Sequence, residues 1–131
     1  MIDSNDTTVI ERDHSKFKVQ GKYSCNSANL VYLIRCRKDC SGAWYIGETK
    51  QTLRERMNGH RQSIARGDST LPVPSHFNSA GHSMDDMKVC VLRGGLSQTK
   101  PRRTEEQRLI AKFRTHSEGL NKDLDFLSRY N

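Results

Sequence analysis

From Asn29 to Gly47 the chain carries two β-rich runs, NLVYLIRC and AWYIG, split by the short polar stretch RKDCSG. Runs dense in Val, Ile, Leu and Tyr favour strands. A polar, glycine-containing break of this length suits a tight antiparallel return between them. Centring the turn near Lys38 and Asp39 sets Tyr32 opposite Tyr45. Both phenols then share one sheet face, with Cβ atoms about 4.5–5.5 Å apart. From spacing alone, an aromatic cross-strand pair that serves only packing is the better reading.

The segment TKQTLRERMNGHRQSIARG places Leu53, Met57 and Ile64 on one helical face. Thr52 is a natural N-cap with Glu55 completing a capping box, and Gly67 is a natural stop. DSTLPVPSHFNSAGH is rich in turn formers and reads as a loop. MKVCVLR (87–93) reads as a third strand ended by Gly94-Gly95. Thr104–Thr115 reads as a second main helix with Leu109, Ile110 and Phe113 as its apolar stripe. The order β-β-α-β-α predicts a small α+β domain: a three-stranded, mostly antiparallel sheet flanked by helices. Residues 1–21 show no period and read as a flexible tail or linker, with the domain spanning 22–131.

With 131 residues and 34% hydrophobic content, the chain can form one domain with a modest core, which a staple such as a metal would reinforce. No apolar run approaches the roughly 20 residues of a membrane span. The polar, acidic stretch after Met1 does not resemble a signal peptide, so four cysteines point to metal ligands or core thiols in a reducing compartment. Net charge is +7, with residues 1–15 contributing −3 and the remainder +10. Basic residues concentrate from Lys50 to Arg66 and from Lys100 to Arg114. A polyanion, nucleic acid above all, accounts for this pattern. A solvated basic surface accounts for it equally. On the first reading, Lys50, Arg54, Arg61, Arg66, Lys100, Arg102 and Arg103 are the candidate DNA contacts.

Arg56 and His60 stand four apart on the first helix and project from one side of it. With two tyrosines nearby they can grip a phosphodiester, since a guanidinium suits phosphate oxygens. Glu106 precedes Leu109, Ile110 and Phe113 at helical spacing, so it lies on the buried stripe, whereas Glu105 points away. A carboxylate facing a core needs a partner. Either it neutralises an arginine such as Arg56, or it holds a hard cation such as Mg²⁺.

At these residues the chain resembles a GIY-YIG nuclease domain. The first motif is Leu30-Val31-Tyr32, with Leu-Val standing where the family has Gly-Ile; the second is Tyr45-Ile46-Gly47. YIGETKQTLRERMNGH is similar to the family's run from the second motif into the first helix, matching at Arg56 and His60. Glu106 with Leu109-Ile110 resembles the helix that carries the metal-binding glutamate, and Gly119-Leu120-Asn121 resembles the later motif with its asparagine. The resemblance covers about residues 22–123. Cysteines between the first two motifs, the phrase SHFNSAGH and GLNKD look like the endonuclease domain of Penelope-like retroelements, where the domain follows a reverse transcriptase.

The resemblance implies a DNA endonuclease dependent on Mg²⁺ (or Mn²⁺), nicking by hydrolysis. Tyr32 would help deprotonate the attacking water, and Tyr45 would position water or phosphate. Arg56 would neutralise charge on the phosphate, Glu106 would hold the metal, and His60 and Asn121 would orient the group. It also implies a structural zinc held by Cys36, Cys40, His76 and His82, with Cys25 a possible competitor as ligand and Cys90 a core thiol. Nuclear residence, or cytoplasmic before import, fusion to a reverse transcriptase and a transient dimer for double-strand cuts belong to the same expectation. The competing classes are a non-catalytic zinc-stabilised nucleic-acid-binding module and a covalent tyrosine recombinase.

Overall fold

The computed structural model describes residues 9–38 and 42–121. Strands β1 (Val9–Arg12) and β2 (Ser15–Lys18) form a hairpin; β3 (Ala28–Cys36), β4 (Trp44–Thr52) and β5 (Met87–Arg93) form an antiparallel sheet in the order β4-β3-β5. The helices are α1 (Leu53–Arg66), α2 (Pro72–Phe77), α3 (Thr99–Phe113) and the short α4 (Thr115–Glu118). The small α+β fold expected from the sequence is the fold observed.

Strand β3 is central because both of its faces are apolar. Leu30, Tyr32, Ile34 and Cys36 enter one core with Leu53, Met57 and Ile64 of α1 and Val73 and Phe77 of α2. Val31 and Leu33 enter a second core with Leu109, Ile110 and Phe113 of α3. A strand alternation of two thus meets helical spacings of three and four on either side. Helix α1 begins and ends as its sequence dictates: Thr52 Oγ1 accepts from the Glu55 amide at 3.1 Å, Glu55 Oε1 accepts from the Thr52 amide at 3.1 Å, and Gly67 closes the helix with φ 68°. No helix among the described residues is long and apolar enough to cross a membrane.

Four expectations need correction. Tyr32 pairs with Gly47, and Tyr45 with Ile34, so the phenols are diagonal neighbours and not opposed. A shift of two residues keeps both on one face, with ring centroids 6.5 Å apart. The reason is steric. The Tyr32 ring lies across Gly47, where a Cβ would come within 2.5 Å of the phenol oxygen, so only glycine can stand opposite it.

Residues 9–18, expected within a tail, form the β1–β2 hairpin, which lays Ile10 and Phe17 on the second core together with Val19 just beyond. Asp13 turns the hairpin with φ 54°, and its carboxylate meets Arg114 Nη2 at 2.7 Å. The loop after α1 contains α2, started by Pro72, whose missing N–H costs nothing in a first turn. Helix α3 begins at Thr99 and not at Thr104, because Pro101 is also tolerated in a first turn.

Candidate active site

One cavity of about 150 Å³ gathers residues from four elements. Tyr45 comes from β4, Arg56 and His60 from α1, Glu106 from α3, and Asn121 from the segment after α4; residues 71–74 form an apolar wall. Helical spacing sets Arg56 and His60 one turn apart, and Glu106 reaches the cavity from the far side of the sheet edge. Glu106 is only 6% exposed, and a carboxylate so buried needs a cation or a proton as partner. Glu105, one residue earlier, instead pairs outward with Arg93 and Arg108.

Tyr32 lies behind this group, 0% exposed. Its oxygen stands 2.8 Å from His60 Nε2, and the two tyrosine rings and the imidazole form a triangle with centroids 5.7–6.5 Å apart. Burial pushes the Tyr32 phenol well above its ordinary value of 10.0; Tyr45 adds to this and the Arg56 guanidinium opposes it. Burial, reinforced by Arg56, pulls His60 down to about 3. Burial also works against the charge on Arg56, but the two phenols outweigh it and its pKa is raised. At neutral pH the site therefore holds a neutral phenol, a neutral imidazole and a cation.

This predicts an acid dependence of stability. Between pH 6.5 and about 3 the unfolded chain binds a proton at His60 that the folded chain refuses, so stability falls on acidification by about 1.4 kcal/mol per pH unit. Urea unfolding at pH 7, 6 and 5 should give a shallower dependence for His60→Gln than for the native chain. Equal slopes would contradict the assignment.

Asn121 lines the cavity, but its carboxamide is bonded to neighbouring protein groups. Its Oδ1 accepts from the Ile46 amide at 2.8 Å and its Nδ2 donates to the Ile46 carbonyl at 2.9 Å, while Thr115 Oγ1 donates to Oδ1 at 2.8 Å. The carboxamide thus completes the ladder of edge strand β4 between Tyr45 and Gly47. Among the residues expected to touch DNA, Arg102 is 3% exposed. Its Nε donates to Glu48 Oε1 at 2.9 Å and its Nη1 to the Leu96 carbonyl at 3.2 Å. It is therefore a structural cation fastening α3 to β4, one helical turn before Glu106, and not a phosphate contact. Lys50, Arg54, Arg66, Lys100 and Arg103 are exposed and Arg61 half-buried.

Glu48 is the functional neighbour that sequence reading missed, although it is the acid directly following Tyr-Ile-Gly in a basic stretch. Glu48→Ala leaves Arg102 buried and unpaired, which should cost about 3–5 kcal/mol in urea unfolding. Adding Arg102→Leu should restore much of that loss. If the double variant is no more stable than the single one, the buried pair is not what holds the helix.

A second cluster lies where β3 ends, at Cys36. One ligand atom each from Cys36, His76 and His82 lie within 4.8 Å of one another. His82 Nδ1 donates to the Ala80 carbonyl at 3.1 Å, the tautomer that offers Nε2 to a metal. His76 Nε2 is buried without a hydrogen-bond partner among the described residues, and burial followed by the His82 charge lowers the His76 pKa. Cys40 lies outside the described residues. Cys25 is not in the group; its carbonyl accepts from the Arg54 amide at 2.8 Å, at the start of α1. Cys90 is a core thiol on the second face.

An antiparallel sheet presenting two tyrosines, joined by an arginine and histidine from one helix and a glutamate from another, defines a nuclease-type catalytic domain. The family model for the GIY-YIG catalytic domain matches residues 28–121, and the chain belongs to the GIY-YIG family. No curated protein and no solved structure matches it. Membership implies nuclease activity with DNA as substrate, and nucleases of this family are typically dependent on a divalent metal.

Proposed function

We propose that the domain nicks DNA by metal-dependent hydrolysis of one phosphodiester per active site. The observation that carries this reading is the convergence of Tyr45, Arg56, His60 and Glu106 on one cavity. Arg56 grips the phosphate. Tyr45, the phenol that lines the cavity, orients the water that attacks phosphorus, and that water's proton passes to solvent as the new P–O bond forms. The opposite P–O bond breaks, and its oxygen takes a proton from solvent. Tyr32 is sealed from water, so its role is positional: its oxygen stands 2.8 Å from His60 Nε2, with the Arg56 charge acting on the phenol, and it holds His60 in place. Glu106 would hold a divalent ion, which when bound would supply charge stabilisation to the reacting phosphate. A buried carboxylate oxygen is the hard donor that Mg²⁺ or Mn²⁺ prefers.

Zinc is the metal proposed for Cys36, His76 and His82. The soft and borderline donors, the orphaned His76 Nε2 and the fixed His82 tautomer all favour it, with Cys40 as the proposed fourth ligand. This set supports assignment to the Penelope-like retroelement type, with a reverse transcriptase in the native protein. The exposed cations Lys50, Arg54, Arg66, Lys100 and Arg103 supply sequence-independent affinity that weakens steeply with salt.

Supercoiled plasmid incubated with the protein and Mg²⁺ should be converted to open circles with free ends. Protein bound covalently to DNA in a denaturing gel would indicate tyrosine chemistry of the recombinase kind. Binding without nicking under any divalent metal would indicate a non-catalytic module.

A further inference from the structure

The apolar wall of the cavity has no role in gripping or hydrolysing a phosphate. It is built by residues 71–74, and its outermost side chain, Leu71, is 42% exposed. Leu71 precedes Pro72, which confines it to extended backbone, observed at φ −110° and ψ 143°. The following turn is fixed. Val73, Pro74 and Phe77 are buried, and Asn78 Nδ2 donates to the Ile64 carbonyl at 2.9 Å. The chain therefore holds a leucine outward at the mouth of a polar cavity, on a support that cannot withdraw it into the core.

The lining of the cavity determines what meets that leucine. Arg56, His60 and Glu106 stand in its wall and suit a phosphate group. Once a phosphate sits against Arg56, the nucleoside attached to it must lie at the mouth, where Leu71 and Pro72 form the wall. A base has an apolar face, and leucine and proline are side chains that proteins press against unstacked base steps.

Resting on the nuclease reading of this cavity, we propose that Leu71 and Pro72 form a subsite for the nucleoside flanking the scissile phosphate, with its base unstacked against Leu71. The subsite makes the enzyme sensitive to how easily that one base leaves the helical stack, so substrates with a loose base at that position are cut faster.

A double cycle tests this in the full chain. Oligonucleotides carrying a single abasic position, moved step by step across the cut site, are cleaved by the native protein and by Leu71→Ala. For the native protein, one position should cost about tenfold in kcat/KM, the factor supplied by burying roughly 60 Å² of apolar surface. Leu71→Ala should lose about tenfold on the intact oligonucleotide and nothing further at that abasic position. Leu71→Met should restore both the rate and the abasic sensitivity. Equal abasic losses in the native and alanine proteins at every position would overturn the subsite. Failure to cleave any oligonucleotide would overturn the nuclease reading instead. The same cycle measured by binding anisotropy would then still show whether Leu71 and one base are coupled.

Discussion

Arg56→Ala should slow plasmid nicking by roughly 10²–10³-fold, the range for removing a preorganised donor to charge that develops during reaction. Arg56 faces both phenols and lines the cavity with Glu106, so its guanidinium is fixed before substrate arrives and costs no reorganisation. Arg56→Lys should recover only part of the rate, because an ammonium cannot grip two phosphate oxygens in a plane. Glu106→Ala should lose at least as much as Arg56→Ala, and raising the Mg²⁺ concentration should not rescue it, since the cation has lost its buried carboxylate. Circular dichroism and the urea midpoint identify variants that fail merely by unfolding. Nicking by either alanine variant within a few-fold of the native rate, in a folded protein, would remove the residue from the mechanism.

Cys36→Ser should release the proposed zinc, expected at about one per chain in the native protein, and lower stability substantially. The cluster ties the end of β3 to α2 and the turn after it, closing a loop of about 40 residues. The chain-entropy relation for a cross-link of that length gives about 4 kcal/mol. The loss should stop short of unfolding, because other contacts span the same gap. Lys38 Nζ donates to the Gly81 carbonyl at 2.6 Å, and the buried Asp86 carboxylate receives Arg37 at 3.7 Å and Lys38 at 3.9 Å. Elemental analysis of the purified chain, followed by urea unfolding with and without a chelator, checks both parts. A zinc-free native protein, or an unchanged midpoint in Cys36→Ser, would remove the staple.

The two sites differ in how far sequence could locate them. Cys36, His76 and His82 came from family likeness, and folding brought their ligand atoms together. Asn121 was expected to orient the site's residues, and the structure gives its carboxamide to the backbone of Ile46, beside Tyr45. No local pattern announces that a side chain will stand in for a missing strand. Arg102 looked like its neighbours Lys100 and Arg103, and only its position on α3 relative to Glu48 turned it inward.

What the sequence by itself determined is local. Helix α1 runs from its Thr52–Glu55 capping box to Gly67 because those hydrogen bonds join residues three or four apart. The faces of β3 and α3 follow from periods of two and 3.6, and Glu106 fell on the buried stripe for the same reason. The tertiary structure decided whatever depended on distant residues. The β3–β4 register was set by Tyr32 lying across Gly47. The short β1–β2 hairpin holds its form against a core that later residues build. Tyr45 meets the cavity while Tyr32 is sealed behind it, because helices α1 and α3 close over the sheet from opposite sides. Spacing along a chain fixes which residues share a face, but only packing decides which of them reaches water.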